Sequence, residues 1–323
     1  MQAVVQDLYG SADVLELRDI ARPQPRDGEV LIRVRAAGVD QGVWHLMTGL
    51  PYLVRLFGYG LKKPKVPVRG REVAGVVEAV GSGVTRFAPG DEVFGTCDGS
   101  FAEYVCAKED KVARKPLSLS FEEAGAAPIS GVTALQAVRD AGHVTVGQKV
   151  LILGAGGGVG SFAVQLAKAF GAEVTGVCST GKVELVRSLG ADYVIDYRTS
   201  HIAGAGKLYD VILDTAGNRP LSLLRRLLVP KGTLVIIGGE GGGKLTGGFQ
   251  RSLVAPLVSL FSGRKFKGLV AKETYLDLEA LASLMEAGSV KPAVDKVFSL
   301  AEVRDAIQYL HEGRARGKVV VRV

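Results

Sequence analysis

Lys149-Val-Leu-Ile-Leu-Gly-Ala-Gly-Gly-Gly-Val-Gly160, followed by Ser161-Phe-Ala-Val-Gln-Leu-Ala-Lys-Ala-Phe170, is the stretch that decides the fold. Five residues, mostly apolar, that stop at a glycine cluster suit a buried strand, and the longer apolar segment beyond suits a helix. Glycines 154, 157 and 160 are spaced three apart. The spacing departs from strict G-x-G-x-x-G, because counting from Gly154 and Gly156 the last place falls on Val159. The physical demands are the same: one glycine for a tight turn, one for close backbone approach to a pyrophosphate, one for packing helix on strand. The helix start then offers free N–H groups and a partial positive charge to phosphate. Gly154, Gly157, Gly158, Val159 and Gly160 are the candidate contacts to a dinucleotide.

Downstream the pattern repeats as strand and helix, which implies a parallel sheet. Strands are expected at 173–177, 193–195, 210–213 and 233–237, helices at 160–170, 182–189 and 221–228. Pro230-Lys231-Gly232 is expected to close the last of these helices. A glycine-rich stretch follows Gly238 as far as Gly248, then helical patterns at 253–261, 278–286 and 302–311 and a strand at 317–323. Upstream of residue 120 the rhythm is short strands and turns, at 30–34, 73–80 and 91–94. Ser120 reads as a helix N-cap with Glu123 as its capping-box partner. The organisation is therefore a β-rich region, a doubly wound α/β region, and a tail with the option of returning to the first.

Composition narrows the function classes. The chain has 323 residues, 47% of them apolar, and a net charge of +7. That length exceeds one ordinary core and predicts two domains. The cations are scattered rather than gathered, so nucleic acid is not the expected partner. Residues 150–167 are uncharged and long enough to span a bilayer, but five glycines in seven positions break them into strand, loop and helix; no membrane span is expected. Cys97, Cys106 and Cys178 are too few and too irregular for a disulfide framework. With no basic region before an apolar core at the start, a cytoplasmic location is expected.

Beyond the second strand an NAD-specific domain places an acid on the ribose hydroxyls. Here the residues are Cys178-Ser179-Thr180-Gly181-Lys182. Hydroxyls at Ser179 and Thr180 and the Lys182 ammonium suit a 2′-phosphate, so NADPH is the expected cofactor. The plainer account, Ser179 as an N-cap and Lys182 on a surface, is compatible with the first.

The chain resembles the medium-chain dehydrogenase/reductases, in their zinc-independent quinone and enone reductase branch. The segments that carry the likeness are Gly28-Glu-Val-Leu-Ile-Arg-Val34, Ala36-Ala-Gly-Val39, Val73-Ala-Gly-Val-Val-Glu-Ala-Val-Gly81, Pro89-Gly-Asp-Glu-Val93, Ala127-Pro-Ile-Ser-Gly-Val-Thr-Ala134, the glycine loop, Leu189-Gly-Ala-Asp192 and Gly317-Lys-Val-Val320. The resemblance implies an α/β protein with a discontinuous GroES-like catalytic domain, 1–123 and 266–323, around a Rossmann doubly wound domain, 124–265. It implies a cofactor in the cleft between the two, and a homodimer. By position it implies Ser130 and Thr133 near the nicotinamide, and Ser179, Lys182 and Tyr197 at the 2′-phosphate. Ala216, Gly217, Ile237, Gly238 and Lys318 would line the rest.

Zinc-dependent members of the superfamily carry a cysteine shortly after Ala-Gly-Val and a later Gly-His-Glu. This chain has Asp40 and Gly70-Arg71-Glu72 there. Both soft ligands are missing, and an arginine repels a dication, so no metal is expected. The histidines, His45, His143, His201 and His311, are dispersed and read as packing or surface residues. Without a Lewis acid an alcohol is hard to activate, whereas a quinone or α,β-unsaturated carbonyl is already electrophilic. Reduction of such a substrate by NADPH is the expected activity. Asp40 is a candidate to orient the nicotinamide ribose or relay a proton, and Tyr52 or Tyr59 to donate one. The alternatives are a metal-free ketone or alcohol reductase, an NADPH-binding sensor with little turnover, and an RNA-binding role suggested by the basic charge.

Overall fold

The computed structural model describes residues 1–204, 206–239 and 243–323, so part of the glycine-rich stretch after Gly238, at 240–242, lies outside the described residues. Two compact units are present. One comprises 1–132, 273–288 and 292–323, the other 133–272 and 289–291.

The first unit is built on β-strands. β1 (Gln2–Val5) and β2 (Glu16–Asp19) form an antiparallel pair. β3 (Glu29–Val39), β4 (Glu72–Val80), β5 (Glu92–Thr96), β6 (Tyr104–Lys108) and β7 (Val112–Arg114) supply most of a seven-stranded sheet. β3 shows why: Val30, Ile32 and Val34 point into the core, while Arg33 and Arg35 face solvent. Helix α1 (Gln41–Thr48) follows β3. Then come α2 (Tyr52–Val54), the wide helical turn Arg55–Tyr59, α3 (Phe121–Gly125) and α4 (Pro128–Gln136). Ser120 caps α3, and its reciprocal bond with Glu123 completes the capping box.

The second unit alternates β8 (Lys149–Leu153), α5 (Gly158–Ala169), β9 (Glu173–Cys178), α6 (Val183–Ser188), β10 (Tyr193–Asp196), β11 (Tyr209–Asp214), α7 (Leu221–Leu227), β12 (Leu228–Ile236), α8 (Phe249–Ser262) and β13 (Lys265–Gly268). The strands lie in the order β10-β9-β8-β11-β12-β13, every pair parallel. This is a doubly wound Rossmann sheet whose order reverses between β8 and β11, the place where such folds bind ligands. Leu151, Leu153, Ile212, Leu234 and Ile236 fill its core.

The chain then returns to the first unit through α9 (Tyr275–Glu286), β14 (Val294–Ser299), α10 (Val303–His311) and β15 (Lys318–Arg322). β15 pairs parallel with β14 and antiparallel with β3, Val319 opposite Val39. The GroES-like unit is thus made from two distant stretches of sequence.

Three details differ from the sequence-based expectation. A break at 123/124 would cut α3, which packs on β3: a Cβ at Gly125 would lie 3.1 Å from the Ala36 carbonyl. A return at 265/266 would cut β13, which pairs with β12 as the sixth Rossmann strand. Pro230-Lys231-Gly232 does not close a helix. α7 stops at Leu227, and the three residues sit in a bulge of β12, where the register slips and Lys231 takes φ 66°.

One polar contact fastens the returning strand. Lys318 and Glu72, both fully buried, meet at Nζ–Oε2 2.5 Å; Lys318 also donates to Ser130 Oγ at 3.1 Å, and Glu72 Oε1 accepts from Ile129 N at 2.8 Å. Burial pushes the Glu72 carboxyl from 4.5 up to about 7; Lys318 opposes the rise and Asp40 adds to it. The folded chain therefore holds this proton more tightly than the unfolded one. The stability Glu72 contributes is full below pH 4.5 and falls as pH rises through 7. Replacing Lys318 with Met removes the opposing charge and should cost about 3–5 kcal/mol in denaturant unfolding at pH 8. The cost should shrink near pH 5.5, where the carboxyl takes up a proton. An equal loss at both pH values would mean that packing, not charge, sets the contribution.

Candidate functional site

Gly154 takes φ +79° at the end of β8, and a Cβ there would lie 2.6 Å from Thr215 Oγ1. At Gly160 a Cβ would meet the Gly154 carbonyl at 2.1 Å, a backbone atom held in place by the strand. No side chain caps α5 at its N-cap, Gly157. The helix therefore presents the first-turn amides of Gly158, Val159 and Gly160, with their partial positive charge, to whatever lies beyond the loop. An anionic pyrophosphate fits that chemistry, and the glycines keep the approach clear.

The loops after β11 and β12 share the same edge of the sheet. A Cβ at Gly217 would lie 2.3 Å from the Gly238 carbonyl, and the Asp214 carbonyl accepts from both Ile237 N and Gly238 N. Ala216, Gly217, Ile237 and Gly238 are thus brought together. The residue that does this is one the sequence does not single out. Asp214 is fully buried; its Oδ1 accepts from Gly217 N at 2.8 Å and its Oδ2 pairs with Arg251 Nη2 at 2.8 Å.

At the end of β9, Ser179 precedes a single tight helical turn, Thr180–Lys182, and the Lys182 stem lies against the loop, 2.7 Å from where a Gly156 Cβ would be. Tyr197 N donates to the Cys178 carbonyl, and the Arg219 guanidinium stands 5.8 Å from the Tyr197 ring centre. Ser179, Lys182 and Tyr197 are therefore neighbours. A correction is needed for Thr180. The sequence shows no acid in 178–182, but strand pairing sets Asp196 opposite Cys178. The Thr180 hydroxyl bonds to Asp196, which with the Arg198 amide holds that carboxyl below its ordinary range.

In the first unit, Asp40, Arg71 and Glu72 gather where β3, β4 and β15 end. Asp40 caps α1, accepting from Val43 N at 3.3 Å through Oδ1, while its Oδ2 is buried without a hydrogen-bond partner. Arg71 lies close by, since a Cβ at Gly42 would be 2.6 Å from Asp40 Oδ1 and 3.2 Å from Arg71 Nη1. Arg71 also faces Glu273, at 3.6 Å. Burial works against its charge, but Asp40 and Glu273 prevail and hold its pKa above the ordinary value. Of the residues expected at the cofactor, Lys318 is engaged with Glu72 and donates to the Ser130 hydroxyl, and Thr133 follows on α4.

Arg71 also lines a cavity of about 330 Å³, with Val43, Leu46, Tyr59, Arg69 and Asp98 among its walls. The two candidate tyrosines part company here. Tyr59 borders this space; Tyr52 is exposed, its ring beneath the Arg55 guanidinium. The histidines pack or cap locally: His311 stacks on Trp44 at 3.5 Å, and His45 Nδ1 lies 2.8 Å from the Leu50 carbonyl. No helix among the described residues is long and apolar enough to cross a membrane.

Residues 26–117 match the alcohol dehydrogenase GroES-like domain family, and residues 189–321 the zinc-binding dehydrogenase family. The 2-methylene-furan-3-one reductase of Solanum lycopersicum is 36% identical over 97% of this chain and 76% of its own length. The quinone oxidoreductase structure from Coxiella burnetii is 29% identical with a TM-score of 0.86, over 100% of this chain and 99% of that one. A mycobacterial protein complexed with NADPH is 26% identical with a TM-score of 0.85, over the whole of both chains. With these matches spread over the GroES-like and Rossmann units alike, the chain belongs to the medium-chain dehydrogenase/reductase superfamily, in its zinc-independent quinone and enone oxidoreductase branch.

Proposed function

We propose that this chain catalyses the NADPH-dependent, zinc-independent two-electron reduction of quinones or α,β-unsaturated carbonyls. The observation that carries the proposal is Arg71 beside Asp40. At the two positions where zinc relatives supply sulfur and imidazole ligands, this chain sets a carboxylate and a guanidinium in each other's field. The guanidinium takes up the charge that would otherwise draw a cation, and neither group is a soft ligand. A site of this kind lacks a device for lowering the pKa of an alcohol. A conjugated carbonyl needs none, since it spreads the arriving negative charge onto its own oxygen. The Solanum relative is named for reduction of an exocyclic enone, and the Coxiella neighbour for quinones.

When bound, NADPH supplies the hydride. The chain's part is to hold and to protonate. The amides of Gly158, Val159 and Gly160 would take the pyrophosphate, and Ala216-Gly217 and Ile237-Gly238 would flank the cofactor beyond it. Ser179, Lys182 and Tyr197, with Arg198 and Arg219 nearby, would hold the 2′-phosphate against the opposing carboxylate of Asp196. Tyr59, rather than Tyr52, is the proton donor of choice because it borders the cavity. Asp40 would relay through Oδ2, the oxygen free of a partner.

Two measurements test this. NADPH absorbance followed with simple quinones and enones should fall, while saturated ketones and primary alcohols with NADP⁺ should be inert, in the presence of a chelator. Turnover of the alcohols and none of the conjugated substrates would reverse the assignment, and tight NADPH binding without any turnover would point to a sensor. For the cofactor, Lys182→Ala should weaken NADPH binding by roughly ten- to a hundredfold, the worth of one charge-assisted hydrogen bond. NADH binding should hardly move, and equal losses for both cofactors would make the residue structural.

A further inference from the structure

Arg69 stands just ahead of the Gly70-Arg71-Glu72 turn, and the reduction proposed above gives it no task. Its backbone is firmly tied, donating to the Val4 carbonyl and accepting from Phe101 N. Its side chain is not. The residue is only 6% exposed, yet the guanidinium makes a single long bond, Nη1 to the Leu46 carbonyl at 3.4 Å, and Nε is buried with no partner. No carboxylate closes an ion pair with it among the described residues, and Asp98 acts on it only through its field. A guanidinium has five N–H donors, and a buried cation left this poorly matched is costly. Arg71, its neighbour along the chain, has Asp40 and Glu273 to balance it. For Arg69 burial outweighs the field of Asp98 and holds its pKa below the ordinary value, and its guanidinium lines the cavity of about 330 Å³.

We infer that this cavity is an anion site, and that the substrate carries a carboxylate which Arg69 receives. The walls describe the rest of the ligand. Val43, Leu46, Phe57, Val66 and Val68 give apolar surface for a short hydrocarbon spacer. Asp98 is exposed and borders the same space, as does the exposed Lys65. A carboxylate matches the planar fork of one guanidinium, and the exposed Lys65 and Asp98 on the same walls offset one another. The volume is at the small end for ligand pockets, which suits a compact keto acid rather than a long lipid. The electrophilic part of such a substrate rests on the proposed reductase activity; the anion site does not.

The test compares 4-oxopent-2-enoate with its methyl ester, two enones that share the reacting carbons. The ester is intrinsically the more electrophilic, so chemistry alone favours it. The wild-type protein should nevertheless prefer the acid, with the difference in KM, and Arg69→Met should reduce the acid-over-ester ratio of kcat/KM by roughly ten- to a hundredfold. Arg69→Lys, which keeps the charge but loses the fork, should fall between. A ratio unchanged by Arg69→Met, or a wild-type preference for the ester, would overturn the inference. Binding is read separately with the saturated acid 4-oxopentanoate. It should raise the Tm of the wild-type protein more than its methyl ester does, and lose that advantage in Arg69→Met. No difference between acid and ester in the wild-type protein would refute the site whatever the turnover, whereas a difference in Tm without turnover of acid, ester or 3-buten-2-one would remove the reductase reading and keep the site. Without ligand, Arg69→Met should melt no lower than the wild type, because it deletes an unmatched buried charge; a marked fall would make Arg69 a structural residue and overturn the proposal.

Discussion

Two opposite charges with no access to water, Lys318 and Glu72, govern the first unit. Each loses several kcal/mol of hydration on burial, and only close contact with full hydrogen bonding offsets that loss. Their 2.5 Å contact, the bond to Ser130 and the Ile129 amide supply both. The pair therefore tolerates little displacement. It fixes the start of β15 against the start of β4 and demands that position 38 on β3 be glycine, since a Cβ there would lie 2.2 Å from Glu72 Oε2. Asp40 follows two residues later on the same strand end, and Arg71 precedes Glu72. Their approach is a consequence of the buried pair. Glu72 is committed to Lys318, which leaves Arg71 to Asp40 and Glu273.

What could be read in the sequence was local. Lys149–Leu153, the glycines and α5 are adjacent, and each imposes its conformation through its own residue types, so strand, loop and helix were all expected where they occur. The capping box at Ser120 is equally local. β13, with four residues, is too short for a period to show, and becomes a strand because β12 offers it an edge. The site behaves in the same way. Glu72 and Lys318 are 246 residues apart, and no spacing rule joins them. Asp196 reaches Thr180 because β10 and β9 run in parallel register. Arg69 gave one signal, an arginine enclosed by Val66-Pro-Val68 and Gly70, but whether it is matched or unmatched depends on atoms that other elements supply.

Two of the acids in the Rossmann unit show how position decides the work a carboxylate does. Asp214, out of reach of water, uses both oxygens to tie the loop after β11 to α8, and is part of the scaffold. Asp196 is at the surface, where water screens its field. It orders the turn that carries Lys182 without preventing that turn from presenting positive charge.

The place of β15 has a consequence for how the protein comes into being on the ribosome. The strand lies between β14 and β3, inside the sheet rather than at its margin, and the entire Rossmann unit is translated between β3 and its partner. During synthesis β3 must wait with that flank unpaired while the Rossmann unit, whose strands are close in sequence, closes first. An unpaired flank of Ala36, Ala37, Gly38 and Val39 is apolar and able to accept a strand from another chain. The GroES-like unit is consequently the slower and more aggregation-exposed half of a nascent molecule, and the part on which a chaperone would be expected to act.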